Sequence, residues 1–301
     1  MMTETENDER LARILKKVRR IELLTRGLVK ESLGGQYHSK FKGQGIEFDD
    51  FREYQAGDDV RFIDWNVTAR MNDPFVRKYV EERELTVILA VDVSGSSEYG
   101  SEEDSKRELA AELAAVFAFS ACANQDKVGL ILFSDQLEAY VPARKGHSHA
   151  LRITRDILNH VPRSRGSDLT PALNIALQRI SHRALVVVVS DFLLPNLSWE
   201  HSLRALATKH DVAAVRVSDP RELELPVAGR LTLQDPETGL QCVVNTSNPR
   251  VREIYAQRLS EFDESVQKAL RRCGVSSIPV ATGANYIPAL RTYFKARRKV
   301  K

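Results

Sequence analysis

The sequence predicts an α/β fold: a doubly wound, mostly parallel sheet with helices on both faces. Three observations carry that expectation. Apolar runs of strand length, such as "LTVILAV" (85–91) and "ALVVVV" (184–189), are continuous rather than alternating, as in parallel strands buried on both faces. Stretches with helical period separate these runs, so strand and helix alternate along the chain. With 301 residues, 43% of them hydrophobic and 28% charged, composition is that of an ordinary globular protein with room for a sizeable core.

Three segments are expected. In the first, 1–33, apolar positions at Leu11, Ile14, Leu15, Val18 and Ile21 predict an amphipathic helix over 10–31. The second, 34–84, is Gly-rich at its start and then dense in alternating charges and aromatics. It has too few consecutive apolar residues for a core helix, and is expected to be extended and irregular, with "FVRKYVE" as a strand. The third, 85–301, carries the regular pattern. After the strand at 85–91, Ser105 and Glu108 stand in capping-box spacing before a long helix. "KVGLILF" and the edge strand "LEAYVP" follow, then helices in "SHALRITRDILNHV" and "TPALNIALQRI", the latter with Pro171 in its first turn. Next come the strand "ALVVVVSDF", the helix "SWEHSLRALATKH" and the strand "DVAAVRV". A β-hairpin insertion is expected near 230–245 around "DPETG", then a helix over 249–273, the strand "VSSIPV" and a terminal helix from about Asn285.

Open parallel sheets bind ligands outside the carboxyl ends of their strands, where strand order reverses. If the strands at 85–91 and 184–190 are neighbours across that point, Asp92 and Asp191 meet there. "DVSGS" adds Ser94 and Ser96, and the polar loop "RGSDLTPAL" (165–173) adds Ser167 and Thr170. Such a set of hard oxygen donors, without imidazole or thiolate, suits Mg²⁺ or Mn²⁺. Neutral hydroxyls leave the ion's charge undercompensated, so an outside carboxylate would make a favourable sixth ligand. Asp168 is expected to cap a helix or stand behind the ligands.

Here the sequence resembles the von Willebrand factor A-type domain, whose metal-ion-dependent adhesion site (MIDAS) reads Asp-x-Ser-x-Ser, then Thr, then Asp. "DVSGS" matches the first element and "VVVVSDF" the third. The resemblance implies Asp92, Ser94, Ser96, Ser167 and Asp191 as metal ligands, with Thr170 the alternative to Ser167. The upstream stretch "GQGIEFDDFREYQAGDDVRFIDWNVTAR" is similar to the hallmark of the domain-of-unknown-function 58 family, over about residues 30–220. That resemblance implies a von Willebrand factor A-like fold and a non-enzymatic adaptor role beside a MoxR-type AAA+ ATPase. A partner's acidic residue would complete the metal's coordination.

Other readings are weaker. An aspartate-nucleophile, Mg²⁺-dependent phosphohydrolase needs a general acid two residues after Asp92, where Ser94 stands, and a phosphate-neutralising cation, for which only Arg163 and Arg165 lie near. A scaffold with a vestigial metal site is a third possibility. Arg61, Asp64, Trp65, Asn66 and Arg70 are expected to form a structural ion-pair and packing network, with partner docking as the alternative. The "GQG" at 43–45 lacks the strand and helix of a dinucleotide loop. The histidines share no metal spacing and are expected at the surface or helix ends. A net charge of +3, with basic clusters only at 13–20 and 295–300, argues against nucleic acid. Cys122, Cys242 and Cys273 are expected to be buried free thiols. No apolar stretch approaches the ~20 residues of a membrane span, and the expected location is the cytoplasm.

Overall fold

The computed structural model describes residues 12–16, 47–55, 57–71, 73–80, 85–101, 105–194 and 196–299. The chain divides into two compact units, Leu33–Glu84 and a larger one of Leu85–Lys301 with Met1–Ser32. Of the helix expected over 10–31, residues 12–16 are helical and the rest lie outside the described residues, as do 43–45.

In the smaller unit, β1 (Glu47–Glu53) pairs antiparallel with β2 (Phe75–Val80), with an irregularity between Phe48 and Asp50. The expectation of extended and irregular chain throughout is corrected by a helix, α1 (Trp65–Met71), none of whose residues is buried. Its cause is local capping: Asp64 Oδ1 accepts from the backbone N–H of Asn66 (2.9 Å) and Val67 (3.1 Å). Without a buried face it leaves no apolar period in the sequence. Ion pairs are present here, Asp64–Arg77, Arg52–Asp58 and Asp59–Arg61, each at 2.7 Å. Trp65 is 69% exposed, however, so it is not the packing centre that was expected.

The larger unit is a six-stranded sheet. Its strands are β3 (Thr86–Asp92), β4 (Lys127–Phe133), β5 (Leu137–Arg144), β6 (Leu185–Ser190), β7 (Asp211–Ser218) and β10 (Ser276–Ala281). They lie in the order β10-β7-β6-β3-β4-β5, all parallel except the antiparallel edge β5. The chain runs from β3 to β4 on one side and returns to β6 on the other, so order reverses between β3 and β6. A separate antiparallel hairpin, β8 (Arg230–Gln234) with β9 (Gln241–Asn245), pairs only with itself among the described residues.

Both faces of this sheet are covered. Ile88, Ala90, Val186 and Val188 pack with Leu169, Ala172 and Leu173 of α4 (Leu169–Arg179), Trp199 and Leu203 of α5 (Trp199–Lys209) and Val266 and Leu270 of α7 (Pro249–Arg272). The alternate residues Val87, Leu89 and Val91 point the other way, toward the layer of α2 (Lys106–Ala123) and α3 (His147–Asn159). Alanines at 110, 111, 114, 115 and 118 let α2 be buried on most of its surface. Its capping box is made as the sequence implies: Ser105 Oγ accepts from Glu108 N, and Glu108 Oε2 from Ser105 N. Each fully buried Val or Leu in these layers contributes about 1.5–3 kcal/mol. Pro220–Leu223 (α6) was not anticipated, and Ile287–Lys299 (α8) closes the chain. Among the described residues no helix is long and apolar enough to cross a membrane.

One expectation about side chains is corrected. Cys242 is exposed because β9 has no second layer over it, whereas Cys122 is half-buried and Cys273 buried. His210 caps the C-terminus of α5, one of the two placements expected of the histidines; it is 3% exposed, and among the described residues neither ring nitrogen has a hydrogen-bond partner. Burial, and then the charges of Lys209 and Arg183, pull its pKa below the ordinary value.

Candidate metal centre

Register brings the site together. Val91 of β3 stands opposite Val189 of β6, so Asp92 and Ser190 emerge side by side at the strand ends. Asp92 is 4% exposed, and its oxygens accept three hydrogen bonds: Oδ1 from Ser94 N (2.9 Å), Oδ2 from Ser190 Oγ (2.8 Å) and Ser167 Oγ (3.0 Å). The chain then turns through a short 3-10 helix, Gly95–Glu98, which folds the hydroxyls of Ser94 and Ser96 to within 3.2 Å of each other. Both serines are buried.

Asp191 follows β6 directly. Phe192 takes φ 57°, the left-handed region that a bulky residue occupies at a cost of about 1–3 kcal/mol. Its buried ring, edge-on to Trp199 at 5.7 Å, holds that turn. Leu193 N donates to Asp191 Oδ1 (3.0 Å), while Asp191 Oδ2 accepts from the Lys106 ammonium at 2.7 Å. Lys106 also donates to Glu222 Oε1 at 2.6 Å.

Asp168 caps α4, accepting from Thr170 N at 2.8 Å. Thr170 Oγ1 is buried with no hydrogen-bond partner, whereas Ser167 Oγ is engaged with Asp92. The structure thus brings Asp92, Ser94, Ser96 and Ser167 into one cluster at the end of β3, with Asp191 beside it. Thr170 is the second residue of α4.

Electrostatics reflect a crowded negative site. Burial, and then the charge of Asp191, push the Asp92 carboxyl above the ordinary carboxylate value, against the pull of its serine donors. Burial draws the Lys106 ammonium down, but Asp191 and Glu222 outweigh it and hold it above its ordinary value. Glu237, in the β8–β9 turn, is pushed up to about 7 by burial and by Asp191, Asp92 and Asp235.

This donor set fits a hard divalent cation. Among the described residues no three His, Cys, Asp or Glu side chains cluster closely enough to hold a metal by themselves. Serine hydroxyls have to supply the remaining oxygens, as they do around Asp92. Asp92 Oδ1 and both oxygens of Asp191 each keep a further lone pair beyond their present hydrogen bond, while Asp92 Oδ2 already accepts two, and the excess negative charge is what a cation would relieve.

Sequence reasoning missed Lys106, Ser190, Glu222 and Glu237. Ser190 could have been found, since it adjoins Asp191 in "VVVVSDF". Lys106 is one of several charges, with Arg107, Glu108 and Glu112, in the N-terminal half of an alanine-rich helix, a weaker signal. Nothing local marks Glu222 or Glu237.

Comparison with known proteins follows this geometry. The family model "Protein of unknown function DUF58" matches residues 50–265. An uncharacterized protein of Mycobacterium tuberculosis is 32% identical over 295 residues, 97% of this chain and 92% of that protein; one of Mycobacterium bovis matches equally. Among solved structures, an aerotolerance-related membrane protein from Bacteroides fragilis superposes with TM-score 0.50 at 18% identity, over 72% of this chain and 100% of that one. The SpRpn10 VWA domain gives TM-score 0.39 at 11% identity, over 69% of this chain and 94% of that one.

Proposed function

The chain belongs to the DUF58 family and has a von Willebrand factor A-like fold, and from that premise we propose that it is a non-enzymatic, Mg²⁺-dependent protein-interaction module. One observation carries the reading. Asp92 is buried among serine hydroxyls at the switch point of the sheet, with Ser94, Ser167 and Ser190 all donating to it. Asp92, Ser94, Ser96 and Ser167 would hold the ion, with Asp191 behind or beside them and Thr170 the alternative to Ser167. The ion would supply a Lewis-acid centre able to accept a carboxylate from a partner. A MoxR-type AAA+ ATPase, or its client, is the partner that the family resemblance implies.

The phosphohydrolase reading loses ground on the same geometry. A carboxylate whose two oxygens accept three hydrogen bonds is poorly disposed to attack, and the residue two positions on is a serine. Arg163 and Arg165 are both exposed.

The test is a pull-down from native lysate with wild type and Asp92→Ala, each in Mg²⁺ and in EDTA. An AAA+ ATPase retained only by wild type in Mg²⁺ supports the proposal. Retention in all four conditions would move the interface away from the metal centre.

A further inference from the structure

Among the described residues the β8–β9 hairpin joins no other strand, and most of its side chains face solvent. Its turn behaves differently. Asp235, Pro236, Thr238 and Gly239 are exposed, but Glu237 between them is half-buried. The turn is held by its own contacts: Asp235 Oδ1 accepts from Glu237 N (2.9 Å), Oδ2 from Thr238 Oγ1 (2.6 Å), and Asp235 O from Gly239 N (2.8 Å). A turn stiffened in this way presents Glu237 in one direction.

The turn lies against the serine loop of the metal centre. A Cβ on Gly95, the glycine inside "DVSGS", would collide with the carbonyl oxygen of Pro236 and stand 3.2 Å from that of Arg165. Only glycine lets the turn come so near the serine loop. The Ser167 backbone amide favours the charged form of Glu237, while the Ser167 hydroxyl donates to Asp92. The charges of Asp191 and Asp92 both act on Glu237.

We propose that Glu237 is this chain's own acidic ligand for the metal centre, carried by a hairpin that closes the site until a partner's carboxylate displaces it. The inference rests on the metal-binding reading above. Tethering gives Glu237 an effective concentration on the order of millimolar. An outside carboxylate must outcompete it, so the hairpin sets a threshold for partner binding.

The test is calorimetric titration of the full chain with Mn²⁺, for wild type, Glu237→Gln and Asp92→Ala. Hydrogen exchange at residues 235–241 is followed with and without Mg²⁺. Glu237→Gln should weaken Mn²⁺ binding by roughly ten- to a hundred-fold while melting like wild type. Mg²⁺ should slow exchange at the hairpin turn in wild type but not in Glu237→Gln. Equal affinity for wild type and Glu237→Gln, with Asp92→Ala inert, would overturn the internal ligand and leave the metal centre standing. No Mn²⁺ binding by wild type would remove both. Weakened binding without Mg²⁺-dependent protection of the turn would overturn closure by the hairpin.

Discussion

The ammonium of Lys106 lies 2.7 Å from Asp191 Oδ2 and 2.6 Å from Glu222 Oε1, and its side chain is 2% exposed. A cation so completely withdrawn from water is stable only because both carboxylates meet it. It ties the first turn of α2 to the end of β6 and to α6, and so holds Asp191 in place.

Replacing that cation should be costly. Lys106→Met would leave the withdrawn Asp191 carboxylate and the partly exposed Glu222 without their counter-charge, and breaking a buried pair from one side costs about 3–5 kcal/mol. Calorimetric melting in EDTA should show a lowered Tm, and Mg²⁺ should restore more of it than it adds to wild type. An unchanged Tm would mean that Asp191 and Glu222 are neutralised by other means.

Asp92→Asn should behave in the opposite way without metal. Burial and Asp191 hold the Asp92 carboxyl up, so its charge works against the folded state, and an amide removes that charge at nearly constant shape. In EDTA the variant should melt at or above the wild-type temperature. In Mg²⁺ it should gain nothing where wild type gains. A drop in Tm in EDTA would count against this account.

Ser167 and Thr170 can be separated by paired variants. Thr170→Val preserves shape and removes a buried hydroxyl with no partner, so stability should be unchanged or slightly raised. Ser167→Ala takes a donor from Asp92 and should weaken Mn²⁺ binding by about tenfold, roughly 1.4 kcal/mol. If Thr170→Val weakens Mn²⁺ binding instead, the ligand lies in α4 rather than in the loop before it.

Acid stability should depend on Asp219. It accepts from Ser101 N (2.9 Å), Arg221 N (2.9 Å) and Thr282 Oγ1 (2.7 Å), joining the loop after β3 to the ends of β7 and β10. Burial opposes its charge, but these donors hold its pKa at about 2, below the ordinary 3.8. The stabilisation is therefore complete above the ordinary value and disappears as pH falls from 3.8 toward about 2. It amounts to about 2 kcal/mol, and Asp219→Asn should lose it near neutrality while converging with wild type at low pH. Parallel curves of stability against pH would refute the assignment.

The thiols should react in the order of their exposure. Cys242 should be modified within the dead time of a disulfide reagent. Cys273, buried and with its pKa pushed up by burial and by Glu200, should wait for unfolding. Rapid labelling of Cys273 in native protein would show that the end of α7 opens.

The layered sheet was legible because its strands are unbroken apolar runs and its helices keep an apolar period. Asp92, Ser94 and Ser96 were legible because they are contiguous at a strand end. What escaped depends on distance along the chain. Lys106 meets Asp191 across 85 positions, and Ser101 meets Asp219 across 118, so no local pattern announces either pair. Helix α1 escaped for another reason: Asp64 makes it by capping, and no buried stripe records it.

The alignment of β3 with β6 has a final consequence, for quality control. Asp92 reaches Ser190 only because Val87 pairs with Leu185 and each following residue with its successor. A slip of one residue would turn Asp92 to the opposite face of the sheet and take it away from its serine donors. A cation bound at this place would stabilise only chains that had closed in the right alignment, by an amount that grows with its concentration. Uptake of the ion would then proofread the sheet, and a misaligned chain would be recognised by its failure to hold metal.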